Sequence, residues 1–275
     1  MLERLIQSTS VLHDVPLIGR ELARRRRELD SARSRQDVAA DLVAEFERVR
    51  REPEYQRAFD DPRPLVTICV GTYNRGDLLI SRCLRSLQQQ TYDNIEIIVV
   101  GDRCTDDTER AIAALGDPRI RFENLPQRGP YPEDPKLRWM VAGTMPVNRA
   151  LQLARGAFIT HLDDDDEHLP RRVELLVDHI RAHRADVVFH PFLWEKKPDR
   201  WTLNRASGFR HAQVTTSSVF YHSWLRRIPW DIEAWRYREP GDWNRFRKIQ
   251  FLGATTVRHP EPLLRHYKER SQARR

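Results

Sequence analysis

Four consecutive aspartates, Asp163 to Asp166, are the residues of this 275-residue sequence most able to do chemistry together. Neighbouring carboxylates repel one another, so a fold that gathers four of them needs a compensating positive charge. Hard divalent cations supply that charge, and magnesium is typically held by one or two carboxylates together with substrate phosphates. One or two acids would suffice to stabilise the start of the helix expected after Pro170. The run of four therefore favours a divalent metal site for a phosphate-bearing ligand, with Mg2+ and Mn2+ left open.

Asp102 is a second candidate, because it follows the apolar run of residues 95–100 and a glycine. A carboxylate at the end of a buried strand can accept hydrogen bonds from a nucleobase or a ribose. Aspartate is also a good cap for the helix that Thr105 is expected to begin. The residue type alone leaves both roles open.

Short apolar runs alternate with amphipathic segments and predict the elements that hold these acids. Strands are expected at residues 65–70, 95–100, 119–123, 157–162 and 186–192, and helices at residues 77–90, 105–115, 147–154 and 170–183. Such alternation is typical of right-handed βαβ units in an open, mostly parallel α/β sheet. Ligands bind these sheets at the carboxyl ends of the strands, where the aspartates fall. The irregular stretch at residues 126–146 is expected to form either a lid over the site or a loop that faces the acceptor.

Residues 1–60 differ in character and predict a helical extension before a main domain at residues 61–275. Apolar residues recur at helical spacing in DVAADLVAEFERVR, and the preceding ELARRRRELD is helical in composition. The favoured interpretation is a set of helices that packs on the main domain and exposes a charged face. The run Arg24 to Arg27 leaves a membrane-surface or self-association helix, and with it a homo-oligomer, as the alternative.

Bulk composition excludes several classes of protein. Charged residues make up 32% and hydrophobic residues 40% of the chain, which is a soluble globular balance. No apolar stretch approaches the roughly 20 residues of a spanning helix. The first 20 residues lack the features of a secretion signal, and the three cysteines have no paired spacing. We therefore expect reduced thiols and a cytoplasmic location, with peripheral contact at the inner membrane face as a further option.

The net charge of +7 attracts polyanions in general, so it is compatible with nucleic acid, anionic lipid and nucleoside diphosphates. No zinc-finger, basic-zipper or RNA-recognition signature accompanies the charge. Specific nucleic-acid binding is therefore not expected.

Several motifs follow one another in a characteristic order. The segment VTICVGTYNRGDLLISRCLRSLQQQTYDNIEIIVVGDRCTDDT begins at Val66, and after it come Asn148, Ala154-Arg155-Gly156 and FITHLDDDDEHLP. This order is similar to glycosyltransferase family 2, and the resemblance covers about residues 64–192. It implies the GT-A fold, a Rossmann-like open sheet flanked by helices. In that fold residues 61–192 would form the nucleotide-sugar-binding half and residues 193–275 the acceptor-side half.

The resemblance also implies an activity. It predicts an inverting glycosyltransferase that moves a sugar from a nucleoside-diphosphate sugar, with UDP-sugars favoured, to a hydroxyl acceptor. The acceptor class stays open among saccharides, lipid-linked acceptors and other hydroxyl compounds. A divalent metal on the diphosphate, Mn2+ or Mg2+, is implied as the cofactor.

The resemblance assigns roles residue by residue. Asp102 would contact the base edge, Asp163 the ribose and Asp165 the metal, with Asp166 in support and Asp164 at the variable position of the motif. The nucleotide-sugar-binding set implied in this way is Thr72, Tyr73, Asn74, Arg75, Asp102, Asp163, Asp164 and Asp165. One departure is Gly101, where the family often has an acid.

The segment EPGDWNRFRKI resembles the acidic motif and following helix of the family. The catalytic base of the family falls at Asp242, and a positioned carboxylate can take the proton of a poorly nucleophilic sugar hydroxyl. Gly241 stands where the family often has another acid, so Glu239 is a second candidate base. The alternative role for Asp242 is an N-cap of the following helix.

Three further contacts are expected around this centre. Trp243 lies beside the candidate base and is expected to contact the acceptor. His161 should face the same side of its strand as Asp163. Arg270 could touch the diphosphate.

Two other functions remain compatible with the residues. A nucleotidyltransferase also uses metal-binding aspartates, but it usually has a glycine-rich basic loop after the first strand, where this chain has GTYNRGD. A basic scaffold would bind nucleic acid or anionic membrane through Arg24 to Arg27 and the C-terminal tail, with steep salt dependence.

Overall fold

The computed structural model describes residues 16–268. Outside the described residues lie Arg270 and residues 1–15. The prediction that the first 20 residues are not a secretion signal therefore falls mostly on residues that are not described.

Eleven strands are formed within residues 16–268. They are β1 (Val66–Thr72), β2 (Ile95–Gly101), β3 (Ile120–Asn124), β4 (Phe158–His161), β5 (Glu167–His168), β6 (Val187–Phe189), β7 (Phe192–Lys197), β8 (Arg200–Asn204), β9 (Val219–His222), β10 (Thr256–Arg258) and β11 (Leu264–His266).

The α-helices of the same residues flank these strands. They are α1 (Pro16–Asp37), α2 (Ala40–Val49), α3 (Pro53–Asp60), α4 (Gly76–Leu78), α5 (Arg85–Gln88), α6 (Thr108–Ala113), α7 (Pro135–Val141), α8 (Thr144–Leu153), α9 (Arg172–His183) and α10 (Gly241–Phe251). A π-helical segment, Leu79–Leu84, joins α4 to α5, so the helix predicted at residues 77–90 is one continuous run.

A seven-stranded sheet in the order β10-β6-β9-β4-β1-β2-β3 forms the centre of the molecule. Strands β4, β1, β2 and β3 are parallel to one another, whereas β9 is antiparallel to both β4 and β6. All seven residues of β2 are buried, because helices cover both faces of a parallel sheet. The predicted α/β class and mostly parallel sheet are confirmed.

A smaller sheet in the order β5-β11-β7-β8 lies beside the central one. The prediction of a single strand at residues 186–192 is wrong in one respect, because the structure has two strands there. The first, β6, belongs to the central sheet, and the second, β7, belongs to the small sheet. The division falls at Pro191, which has no N–H to donate to a sheet ladder. The small sheet carries His266 on β11.

The helix predicted at residues 105–115 begins later, at Thr108, so the expected N-cap role of Thr105 is wrong. The backbone N–H of Thr105 instead donates to Asn74 Oδ1 at 2.8 Å. Asp106 Oδ1 accepts from the backbone N–H of Thr108 at 3.3 Å. The chain between β2 and α6 is thereby attached to the loop that follows β1.

The N-terminal helices pack on the rest of the molecule, in agreement with the favoured interpretation. Phe46 of α2 is fully buried, and Tyr55 of α3 donates a hydrogen bond to Asp186 at 2.7 Å. Arg247 of α10 donates to Asp37 of α1 at 2.5 Å. Among the helices of residues 16–268, none is both long and apolar enough to cross a membrane.

Candidate active site

The loops after β1, β2 and β3 meet at the carboxyl edge of the central sheet. The backbone N–H of Asp102 donates to the Thr72 carbonyl oxygen at 2.8 Å, and Asn124 Oδ1 accepts from the N–H of Cys104 at 2.8 Å. Asn74 has a positive φ of 49°, a conformation that asparagine tolerates better than most residues. These contacts hold the first two predicted site segments together.

Gly101 is required by this arrangement. A Cβ atom at this position would lie 2.6 Å from Asn124 Oδ1 and 3.0 Å from Cys104 Sγ. Because Asn124 fixes the loop after β2, a side chain at position 101 would displace it. The departure from the family pattern therefore has a local steric reason.

Asp102, Tyr73 and the loop after β3 form one continuous wall of contacts. The guanidinium of Arg128 stacks on the Tyr73 ring, with its Cζ 3.6 Å from the centroid, and its Nε lies 3.7 Å from Asp102 Oδ2. The backbone N–H of Gly129 donates to Asp102 Oδ1 at 3.2 Å. Burial raises the pKa of Asp102, and the hydrogen bonds from Gly129 and the Tyr131 hydroxyl oppose that rise. Asp102 is thus directed towards this loop and does not cap α6.

The four aspartates after β4 point to different partners. Asp164 is buried, and its carboxylate accepts from Thr72 Oγ1 at 2.8 Å and from Arg75 Nη1 at 3.1 Å. Arg75 Nη1 also donates to Asp165 Oδ2 at 3.2 Å. Burial raises the pKa of Asp164, while Arg75 opposes the rise. Arg75 thus provides part of the positive charge that the run requires.

Asp163 and Asp166 form a second group with His266. One ligand atom from each of the three side chains lies within 4.8 Å of the others. His266 Nδ1 is 2.8 Å from Asp166 Oδ2, and the backbone N–H of Tyr267 donates to Asp166 Oδ1 at 2.9 Å. Ser217 Oγ donates to Asp166 Oδ2 at 3.2 Å and accepts from the backbone N–H of Asp163 at 3.0 Å. The small sheet therefore brings a histidine to the aspartates.

The electrostatics of this group suit a cation. Burial and the negative charges of Asp166 and Asp165 raise the pKa of Asp163 well above its usual value. Burial alone would lower the pKa of His266, but the Asp166 carboxylate raises it to about 9. The two carboxylates are ligands that suit Mn2+ and Mg2+, and the imidazole could join them once a bound cation displaces its proton. A bound cation would also relieve the repulsion between the acids. The residues present therefore fit the implied metal, with Asp165 outside this group of three.

Asp242 lies in the first turn of α10. Pro240 is the N-cap, so the alternative role of Asp242 as N-cap is wrong. Asp242 Oδ1 accepts from the backbone N–H of Trp243 at 2.6 Å. Burial raises the pKa of Asp242 to about 6, against the opposing effects of the Trp243 N–H and the charge of His266. A carboxylate with that pKa is a suitable proton acceptor near neutral pH.

Glu239, the second candidate base, is fully buried in an ion-pair network. Its carboxylate accepts from Arg247 Nη2 at 2.9 Å, from Asn244 Nδ2 at 2.9 Å and from Arg33 Nη1 at 3.3 Å. The hydrogen bonds of Arg247 and the other donors lower the pKa of Glu239, although burial by itself would raise it. Its carboxylate thus connects α1 to α10.

Two other expected contacts lie in the core. His161 is fully buried, and its Nε2 is 2.6 Å from the Tyr221 hydroxyl. Trp243 is 4% exposed. Neither side chain presents an open surface in this structure.

Three functional candidates were not singled out from the sequence. Arg128 and Tyr131 lie in the irregular stretch at residues 126–146. The sequence of that stretch has no regular spacing that would indicate which residue faces Asp102. Arg82 donates to the Asp165 carbonyl oxygen at 2.7 Å, and its Cζ lies 3.6 Å from the Tyr267 ring centroid. The only sequence signal for Arg82 is its position on the helix after the first strand.

Comparisons with known proteins identify the family and the fold. The model of the family described as "Glycosyl transferase family 2" matches residues 67–131 and 146–244, which is more than half of the chain. The chain is 34% identical over 134 residues to the "Putative colanic acid biosynthesis glycosyl transferase WcaA" of Escherichia coli K12, covering 48% of this chain and 42% of that protein. It is 32% identical over 129 residues to the "GalNAc(5)-diNAcBac-PP-undecaprenol beta-1,3-glucosyltransferase" of Campylobacter jejuni, covering 45% and 37% respectively. The matches thus span less than half of the length of these relatives.

Solved structures share the fold. TarS of S. aureus in complex with UDP-GlcNAc is similar with a TM-score of 0.58 and 18% identity, over 77% of this chain and 61% of that one. The mannosyltransferase PcManGT of Pyrobaculum calidifontis, in complex with GDP-Man and Mn2+, has a TM-score of 0.52 and 18% identity, over 78% and 62%. At such identities the likeness concerns the fold alone. Together with the family match, it shows that the chain belongs to glycosyltransferase family 2 and has the GT-A fold.

Proposed function

We propose that this protein transfers a sugar from a nucleoside-diphosphate sugar to a hydroxyl acceptor, with inversion at the anomeric carbon. The observation that carries the proposal is the group of Asp163, Asp166 and His266, whose ligand atoms lie within 4.8 Å of one another. Thr72 joins the neighbouring Asp164 to Asp102, because its hydroxyl donates to Asp164 and its carbonyl oxygen accepts from the Asp102 N–H. Asp242 supplies a carboxylate from the first turn of α10. A base-binding wall, a cation site and a proton acceptor are the components that such a transfer requires.

The wall around Asp102 would hold the nucleoside. Tyr73 and the stacked Arg128 offer flat surfaces to a base, and Asp102 offers a carboxylate oxygen to its N–H edge. UDP-sugars are the favoured donors by family resemblance. TarS with UDP-GlcNAc and PcManGT with GDP-Man illustrate that proteins of this fold bind different nucleotides.

Asp163, Asp166 and His266 would hold the divalent cation, and Asp165 is the further ligand suggested by the motif. When bound, Mn2+ or Mg2+ supplies Lewis-acid stabilisation to the departing diphosphate. Arg75 and Arg82 add positive charge from the helix after β1, since both reach Asp165. The structural neighbour PcManGT was solved with Mn2+, which makes that ion the first to test.

Asp242 would act as the general base. Its carboxylate takes the proton of the acceptor hydroxyl while that oxygen bonds to the anomeric carbon. The bond from this carbon to the diphosphate breaks at the same time, and its electron pair leaves with the nucleoside diphosphate. A single displacement of this kind inverts the anomeric configuration. Glu239 is the weaker candidate, because its carboxylate is engaged by Arg247, Asn244 and Arg33.

The acceptor is a hydroxyl compound, and lipid-linked saccharides are included because the Campylobacter jejuni relative is named for a polyprenol-linked substrate. The nucleotidyltransferase alternative has no support from the family match, which is to glycosyltransferases.

A screen of nucleotide-sugars tests the function. The melting temperature of the full chain would be measured with UDP-, GDP- and dTDP-sugars, each with Mn2+, with Mg2+ and with EDTA. We expect at least one sugar nucleotide, first of all a UDP-sugar, to raise it only in the presence of a divalent ion. Absence of stabilisation by every donor in both metals would contradict the proposal. Release of diphosphate from a nucleoside triphosphate would point to the nucleotidyltransferase instead.

A further inference from the structure

A groove of about 400 Å3 lies on one face of the small sheet, next to the site. Strands β7 and β8 form its floor, and the loop after β8 forms its side. The lining residues that matter here are Trp194, Lys196, Thr202, Asn204, Arg205 and Gln213.

The groove runs up to the proposed cation group. The parallel register of β11 and β7 pairs His266 with Trp194, and their ring centroids are 6.4 Å apart. His266 in turn contacts Asp166. A ligand lying on Trp194 therefore has its end close to the group that would hold the donor diphosphate.

The loop after β8 extends from the groove towards the candidate base. Asn204 Nδ2 donates to the Ala212 carbonyl oxygen at 3.2 Å, which holds the loop against β8. The His211 ring centroid is 6.0 Å from that of Trp243, the residue after Asp242. Trp194 of the groove thus contacts the cation group through His266, and the loop along the groove reaches Trp243, the residue that follows the base.

The walls of the groove combine an aromatic surface with positive charge. Trp194 is 40% exposed, and Lys196 Nζ lies 3.4 Å from its ring centroid. Arg205 is exposed, and within residues 16–268 neither cation forms a salt bridge with a carboxylate. None of the lining residues is acidic. The ammonium group and the guanidinium therefore remain available to an anion, while the amides of Asn204 and Gln213 add polar groups.

We propose that this groove binds the acceptor and that the acceptor is a saccharide bearing a carboxylate or a phosphate. Lys196 Nζ covers one face of the Trp194 indole, so a sugar ring would contact the part of the indole that stays exposed, while Lys196 and Arg205 suit an anionic substituent. The assignment rests on the glycosyltransferase function proposed above, because it takes the ligand to be the acceptor. It names the acceptor class, which the family resemblance leaves open.

The test uses an array of matched oligosaccharides that are neutral, carry a uronate, or carry a phosphate on the same backbone. The full chain is applied with UDP and Mn2+, and the best binders are measured by calorimetry. We expect an anionic member to bind at least about tenfold more tightly than its neutral counterpart. The uronate and phosphate arms decide which anion is preferred.

Variants locate the binding. Lys196→Ala and Arg205→Ala are each expected to reduce the affinity for the anionic oligosaccharide about tenfold and to leave UDP affinity unchanged. Lys197→Ala is the matched control, since Lys197 is an exposed neighbour outside the groove lining. It should have no effect. Equal loss in the control, or no loss in either groove variant, would overturn the assignment.

Three results separate this proposal from the function on which it rests. If wild-type protein binds UDP but no anionic oligosaccharide better than its neutral match, the groove assignment alone fails. If no sugar nucleotide binds, the glycosyltransferase function fails as well. Binding to phosphatidylglycerol vesicles that requires Lys196 and Arg205, without any saccharide preference, would assign the groove to a lipid surface and overturn the proposal.

Discussion

At the level of single residues, Asp242 and His266 occupy the centre of the proposed reaction, and their charges influence each other. Asp242 comes from the first turn of α10 and His266 from the small sheet. The two residues therefore depend on elements that are distant from the aspartate run in the sequence.

Replacing Asp242 by asparagine separates binding from chemistry. We expect Asp242→Asn to retain nucleotide affinity and to lose transfer by about 10²–10⁴-fold, because the amide cannot accept the acceptor proton. Rates of sugar transfer and calorimetric UDP affinities check the two parts. Transfer at the wild-type rate would mean that the base lies elsewhere.

Replacing His266 by alanine tests the cation group. We expect His266→Ala to weaken metal-dependent UDP binding by about 10–100-fold, because it removes the imidazole beside Asp166. Titration with Mn2+ in the presence of UDP measures the effect, and His183→Ala, at an exposed histidine outside the site, is the control.

The same titration on Asp165→Ala tests the ligand suggested by the motif. We expect this variant to abolish metal-dependent nucleotide binding. Unchanged binding would remove the metal role of Asp165 and leave its contact to Arg75 as a structural one.

At the level of elements, α1 and α10 are connected through buried charges. Glu239 and Arg247 are almost completely inaccessible, and Arg33, Ser34 and Asp37 of α1 complete the network. Removing one partner of a buried ion pair leaves the other charge uncompensated. The N-terminal extension is thereby joined to the helix that carries Asp242.

Replacing Glu239 by alanine should therefore lower the free energy of unfolding by about 3–5 kcal/mol. Urea unfolding followed by circular dichroism measures it. Glu47→Ala, at an exposed position of α2, is the matched control and should change stability by less than about 0.5 kcal/mol. A loss as small as that of the control would show that the network contributes little.

At the level of the whole molecule, several buried histidines make the fold sensitive to acid. Burial lowers the pKa of His222 to about 4 and lowers those of His161, His168 and His190 well below the usual value. His222 accepts from the Trp224 N–H at 3.2 Å and stacks on Tyr55 with centroids 3.6 Å apart. A proton on His222 Nδ1 would break the first of these contacts.

The sign of the pH effect follows from that shift. A histidine whose folded pKa lies below its unfolded value of 6.5 favours the unfolded state as the pH falls through that range. From His222 we expect a loss on the order of 2–3 kcal/mol between pH 7 and pH 4. Urea unfolding across this range measures the loss. His222 Nε2 also lies 3.1 Å from the Tyr55 carbonyl oxygen, so it donates there while Nδ1 accepts from Trp224. His222→Gln, whose amide can donate and accept in the same way, should flatten the dependence, and an unchanged slope would contradict the assignment.

The alternation of strands and helices, and the acids at the ends of β2 and β4, could be predicted from the amino-acid sequence. Local information suffices there, because a buried parallel strand requires a continuous apolar run and polar residues mark where it ends. The motif order also sufficed to indicate the family. The helical spacing of apolar residues also predicted the N-terminal helices correctly, since an apolar stripe on a helix requires a surface to cover it.

Which side chains share a site could not be predicted from the sequence, because it depends on how the strands and helices pack. Asp102 contacts Arg128 of the loop after β3, and Asp166 contacts His266 of the small sheet. Contacts between residues so far apart in the sequence depend on strand order and register. The same packing directs Asp164 towards Arg75, and it buries Glu239 beneath α1. The spacing of residues along the chain does not show where the Asp164 and Glu239 side chains point, because each direction depends on the position of another element.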